Sequence, residues 1–113
     1  MTASARLRRP AYHIAMQLTD KQLRFLRGRA HALKPVIQVG NKGLTAGVLG
    51  ETRRALADHE LIKLRFQAAD RAARDALLAE LARDTGSALV TRIGHVAVLF
   101  KPNTRLSKFP LPD

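Results

Sequence analysis

The sequence predicts an α+β domain of two layers, with elements in the order α-β-α-β-α-β-β and a four-stranded mixed sheet. Three observations predict it. Apolar residues recur at helical spacing in three separate stretches, each preceded by a side chain able to cap a helix. Between the helices lie short β-favouring runs, and the one from Leu61 to Ala68 alternates apolar with polar. Two further runs, Leu89 to Ile93 and Val96 to Phe100, flank Gly94-His95, whose leading glycine suits a type II′ hairpin turn. Helical crossovers make the early strands parallel, and the closing hairpin is antiparallel. Because Lys63, Arg65 and Gln67 alternate with Ile62, Leu64, Phe66 and Ala68, one sheet face is expected to lack a helical cover.

Each element has a local reason. Residues 1–17 carry Arg6, Arg8, Arg9 and Tyr12 without any periodicity, and Pro10 interrupts a helix, so they read as a mobile basic arm. Met16, just before a helix-start signal, reads as the start of translation in preference to a transit peptide. Thr19 and Gln22 have capping-box spacing and open a helix over about Asp20 to Ala32. Its apolar stripe is Leu23, Leu26, Ala30 and Leu33, while Lys21, Arg24, Arg27, His31 and Lys34 share a neighbouring arc. Pro35 ends it, and Val36 to Val39 is a short strand. Thr45 is the natural cap of a second helix ending near His59, and Asp70 caps a third built on Ala73, Leu77, Leu78 and Leu81 and closed by Gly86. On that third helix Arg71 is placed for Asp75 and Glu80 for Arg83, a mixed surface assigned to solubility. The domain therefore spans 18–102, and 103–113 is an extended tail.

Composition bounds the chemistry. A chain of 113 residues supports one core. It has no cysteine, which excludes a disulfide framework, thiolate metal sites and thiol catalysis. Its longest apolar run, Val96 to Phe100, is far below the roughly 20 residues of a membrane span. The arginines near the N-terminus are followed by no apolar segment of the secretory type, so a cytoplasmic protein is expected. The formal charge is +11, and residues 1–34 hold eight of the 20 basic side chains against one of the nine acidic ones. A polarised positive excess favours a polyanionic partner through counterion release, and nucleic acid before a membrane surface.

The segment Gly40-Asn41-Lys42-Gly43 joins a strand to a helix N-terminus. Two glycines free of Cβ atoms let a sugar-phosphate backbone approach, and the N–H groups of the following helix start favour a phosphate. Lys42 adds a cation and Asn41 an amide donor. KH modules hold RNA backbone by the same logic. The bare alternative is a tight turn that needs glycine only for conformation. There is no G-x-x-x-x-G-K, hence no sign of a P-loop nucleotide site.

Three motifs carry a resemblance: Leu33-Lys34-Pro35-Val36, then Val39-Gly40-Asn41-Lys42-Gly43-Leu44-Thr45, then His59-Glu60-Leu61-Ile62-Lys63. In this order the chain resembles the CRM domain (chloroplast RNA splicing and ribosome maturation) in its stand-alone bacterial, YhbY-type form, from about Leu18 to Pro102. The resemblance implies a fold similar to the C-terminal domain of translation initiation factor three. It also implies RNA binding without catalysis and association with ribosomal RNA or precursors of the large ribosomal subunit. The family's loop maps on Gly40, Asn41, Lys42 and Gly43, its basic first helix on Lys21, Arg24, Arg27 and Lys34, and its strand lysine on Lys63. Thr45 at the loop's end and Arg65 on the same strand face complete the candidate RNA-binding set.

Other classes find less support. His13, His31, His59 and His95 lie in four separate segments with no i, i+4 pair, so neither a metal site nor an RNA-processing centre is assembled. His59 has the helix-C-terminal position that favours a cation, and His95 reads as a turn residue. A DNA-binding module is the main alternative, since phosphate contacts do not distinguish the two polymers. No cofactor, membrane or small-molecule substrate is expected, and the protein is expected to be a monomer. With only Tyr12 and four phenylalanines, of which Phe66 and Phe100 are expected inside, backbone and shape recognition should dominate over base stacking.

Overall fold

The computed structural model describes residues 18–103 and 109–112. The basic arm and Met16, and most of the expected tail, lie outside the described residues. Helix α1 (Asp20–Ala30) begins with the full capping box: the Gln22 N–H donates to Thr19 Oγ1 at 3.1 Å and the Thr19 N–H to Gln22 Oε1 at 3.0 Å. It ends two residues before the expected Ala32, because the His31 N–H closes a tighter bond to the Gly28 carbonyl. Strand β1 (Pro35–Val39) follows, then α2 (Ala46–His59) and β2 (Leu61–Phe66). Helix α3 (Arg71–Thr85) starts on Asp70, which accepts from the Ala73 N–H at 2.8 Å, and stops at Gly86 with φ 69. The chain closes with β3 (Ala88–Ile93) and β4 (Val96–Phe100), and Gly94 between them has φ 60.

The sheet order is β1-β2-β4-β3, with β1 parallel to β2 and β4 antiparallel to both of its neighbours. This is the expected four-stranded mixed sheet. The layering differs from expectation. Ile62, Leu64 and Phe66 point to one face, where they form a core with Ile37, Val39, Leu56, Leu78, Leu81 and Leu99 under α2 and α3. Leu61, Val98 and Phe100 point to the other face, and there Leu26 and Ala30 of α1 pack on them with Val90. The second face is thus covered by α1 over β4 and β3, which makes three layers. It stays open over β1, where Val36 and Gln38 are exposed. The reason is β4: Val96 to Phe100 is apolar at every position, as in a strand buried on both sides, and its outer residues give the α1 stripe a floor.

Two long-range links close the domain. Phe109 meets Phe100 edge-on at 6.3 Å between ring centroids, and the Arg29 guanidinium lies 5.7 Å from the Phe109 ring centre and 5.8 Å from that of Phe25. Gln22 Nε2 donates to the Pro112 carbonyl at 3.0 Å, so Phe109 to Pro112 return onto α1. At the α2–β2 junction Glu60 is buried at φ 65, its N–H donating to Leu56 and its carbonyl accepting from Lys101. Asp75 is paired with Arg92 of β3 at 3.1 Å, not with Arg71 as the helical spacing suggested.

These contacts rank two substitutions. Leu64→Ala, in the fully buried centre, is predicted to cost about 3 kcal/mol. Phe109→Ala, on a half-buried return, is predicted to cost about 1 kcal/mol. Urea unfolding with a common m value measures both, and equal losses would contradict this packing.

Candidate nucleic-acid interface

The glycine loop lies at the C-terminal end of β1, an edge strand. Val39 is opposite Phe66, and its carbonyl accepts from the Gln67 N–H at 3.0 Å, which fixes the exit direction of the chain. The Gly43 N–H donates to the Gly40 carbonyl and the Thr45 N–H to the Gly43 carbonyl, both at 3.0 Å. Gly43 has φ 73, so glycine is needed there for conformation. Gly40 is different: its φ is not positive, and no atom lies within 4 Å of where a Cβ would stand at either glycine. The protein's own side chains therefore leave the corner open. Asn41 and Lys42 are exposed at its tip. Thr45 Oγ1 accepts from the Val48 N–H at 3.1 Å and caps α2, leaving the earlier N–H groups of that first turn without an intrahelical partner.

On the open sheet face the other candidates line up toward this corner. Arg65 is opposite Gln38 in the parallel ladder, so its Cα is about 8 Å from that of Gly40 by strand rise and spacing. Lys63 is two residues back on the same face and is half-buried, its stem shared by two grooves. One groove also has Arg27 and His31 of α1 on its walls, and the other has Lys34 and His59. Arg24 and Arg27 are exposed on the flank of α1 away from Phe25 and Arg29, and Lys21, one turn before Phe25, is exposed on the outer face between the two flanks. The structure therefore places Arg65 next to the loop and Lys63 further back, where it shares grooves with Arg27 and Lys34, while Lys34 itself stands at the opposite end of β1, about 20 Å of strand from Gly40.

Other cations have partners inside the fold. Arg53 Nη2 donates to the Asp84 carbonyl and Lys101 Nζ to the Thr85 carbonyl, each at 3.1 Å, so both sit on the C-terminal carbonyls of α3 where positive charge is favoured. Arg29 holds the returning chain and Arg92 holds Asp75. By contrast, Lys21, Arg24, Arg27, Lys34, Lys42, Lys63 and Arg65 have no ion-pair partner among the described residues. No group of three or more His, Asp or Glu side chains able to hold a metal occurs among the described residues. His95 Nδ1 lies 3.2 Å from the Phe66 carbonyl, which anchors the hairpin turn at the same end of the sheet as the glycine loop.

The model of the CRS1 / YhbY (CRM) domain matches residues 18–101, from the first helix to the end of the last strand. The chain belongs to the CRM domain family. A Haemophilus influenzae protein named "RNA-binding protein" is 44% identical over 95 residues, covering 84% of this chain and 95% of its own length. A Pseudomonas aeruginosa protein named "Probable RNA-binding protein" is 45% identical over 93 residues, covering 82% and 89%. The solution structure of a hypothetical protein from Staphylococcus aureus matches with a TM-score of 0.75 at 30% identity, covering 85% of this chain and all of that one. The CRM domain boundary at 101 leaves Phe109 to Pro112 outside the family match although they pack on α1.

The two loop glycines should separate in stability. Gly43→Ala is predicted to cost about 1 kcal/mol from its positive φ, and Gly40→Ala to be within a few tenths of the parent, by thermal or urea unfolding. Equal costs would mean that the loop does not hold this conformation in solution.

Proposed function

We propose that this CRM-family chain is a non-catalytic, monomeric RNA-binding protein of the cytoplasm that associates with ribosomal RNA or precursors of the large ribosomal subunit. The glycine loop and the basic flank of α1 hold the RNA backbone, with Lys63 and Arg65 bridging them. One observation carries the reading: cations without internal partners follow one open sheet face from α1 to a corner that nothing fills. The names of the relatives, "RNA-binding protein" among them, support the polymer.

In this reading Lys42 and the first N–H groups of α2 meet one phosphate, and Lys63 and Arg65 the next ones along the strand. A non-catalytic role accords with the separation of the histidines, His31 and His59 lying in different grooves.

Two experiments test it. Affinity for a structured ribosomal RNA fragment is predicted to fall about 10³-fold between roughly 50 and 200 mM salt, as for six or more phosphate contacts, and to exceed affinity for duplex DNA. Replacing Arg24 and Arg27 by Ala should weaken binding about tenfold and shallow the salt slope by about two, whereas replacing Arg71 and Arg74 should cost less than about twofold. The reverse ranking would move the surface to α3. Separately, Gly40→Asp with Gly43→Asp is predicted to abolish RNA binding while the fold survives, because an added side chain meets no atom at either position and the positive φ at Gly43 costs only about 1 kcal/mol. Parental affinity in the folded double variant would refute the loop's role.

A further inference from the structure

Ile93 is 75% exposed, the most exposed of the large apolar side chains Val36, Leu89 and Ile93. It ends β3 opposite Val96, beside the hairpin turn, and with Val96 and Val98 forms the apolar floor of an open groove of about 130 Å³ between α1 and the sheet. The walls of that groove carry two cations, Arg27 from α1 and Lys63 from β2, beside the His31 imidazole. Arg65 is opposite Val96 in the ladder, so a third positive side chain starts next to it. A surface that only attracts phosphate needs no apolar floor, and an exposed isoleucine loses nothing by being replaced with a polar residue in such a surface. A ring of positive charge around an apolar floor matches a group that is apolar on its flat faces and carries anionic links on either side.

We infer that this groove takes the base of an unpaired nucleotide, with Ile93 and Val96 against the base and Arg27 and Lys63 on the flanking phosphates. The inference rests on the RNA-binding reading and adds to it a preference for RNA with a bulged or looped-out nucleotide. Aliphatic contact replaces the aromatic stacking that the sparse aromatic content denies to this protein: it buries the base face and makes dispersion contacts without a ring. The bulged nucleotide can reach the groove while its duplex neighbours follow the cationic track toward the glycine loop.

The test uses the full chain and two RNAs of equal charge, a stem-loop with one bulged adenosine and the same stem-loop with an abasic ribose at the bulge. The parent protein is predicted to bind the adenosine form about fivefold tighter. Ile93→Ala should bind both forms equally, at the abasic level and with unchanged salt slope, and Ile93→Phe should keep or increase the discrimination. Both substitutions are on an exposed position, and an unchanged melting temperature verifies the fold. Equal binding of the two RNAs by the parent protein, or discrimination that survives in Ile93→Ala, overturns the inference and leaves the patch to a protein partner. That result leaves the RNA-binding reading standing, whereas failure of the parent to bind either RNA with salt-sensitive affinity would remove the reading itself.

Discussion

Alternation along β2 is the constraint on which the rest of the molecule depends. Ile62, Leu64 and Phe66 are fully or almost fully buried under α2 and α3. A strand side-chain period of two then forces Leu61, Lys63 and Arg65 onto the opposite face. Leu61 is taken up beneath α1, and the two cations emerge between α1 and the edge strand β1. A one-residue slip would bury both charges and expose the largest apolar side chains, so the hydrophobic core itself fixes the cationic track. The position of the glycine loop follows, because β1 is in register with β2 and its last residue is opposite Phe66.

Charge is divided by the same architecture. On the α3 side Arg53 and Lys101 rest on helix-terminal carbonyls and Arg92 on Asp75, so these three contribute to stability where two elements meet, whereas Arg74 Nε is buried without a hydrogen-bond partner. The cations on the α1 side face one another across grooves without acidic partners among the described residues. Mutual repulsion there raises the free energy of the unbound protein, and an extended polyanion relieves it at several points together. The net charge of +11 is thus less informative than its placement.

Features set by local chemistry were legible in the sequence. Thr19, Thr45 and Asp70 cap the three helices as read, since a cap needs only its own first turn. Gly94 and Gly86 take positive φ where the turn and helix stop require it. Features decided by distant partners were not. The alternation from Leu61 suggested a bare sheet face, but α1 covers it because β4 is apolar on both sides, a signal present in Val96 to Phe100. Asp75 had a helical neighbour in Arg71 and a strand neighbour in Arg92, and only the tertiary fold selects the second. The return of Phe109 to Phe100 crosses a segment that has no periodicity to read. At the site, the loop glycines and the α1 arc could be named from spacing. The groove floored by Ile93 could not, because it joins a helix to a hairpin more than 60 residues later.

The central claim is that loop, strand cations and the α1 flank form one surface for a nucleotide chain. Amide chemical-shift mapping of the isotope-labelled protein during titration with structured RNA measures it most directly. The account predicts perturbations concentrated in one band over Arg24, Arg27, Lys63, Arg65 and Gly40 to Gly43, saturating at a single RNA concentration. Perturbations centred on the outer face of α3, or two bands saturating independently, would contradict it.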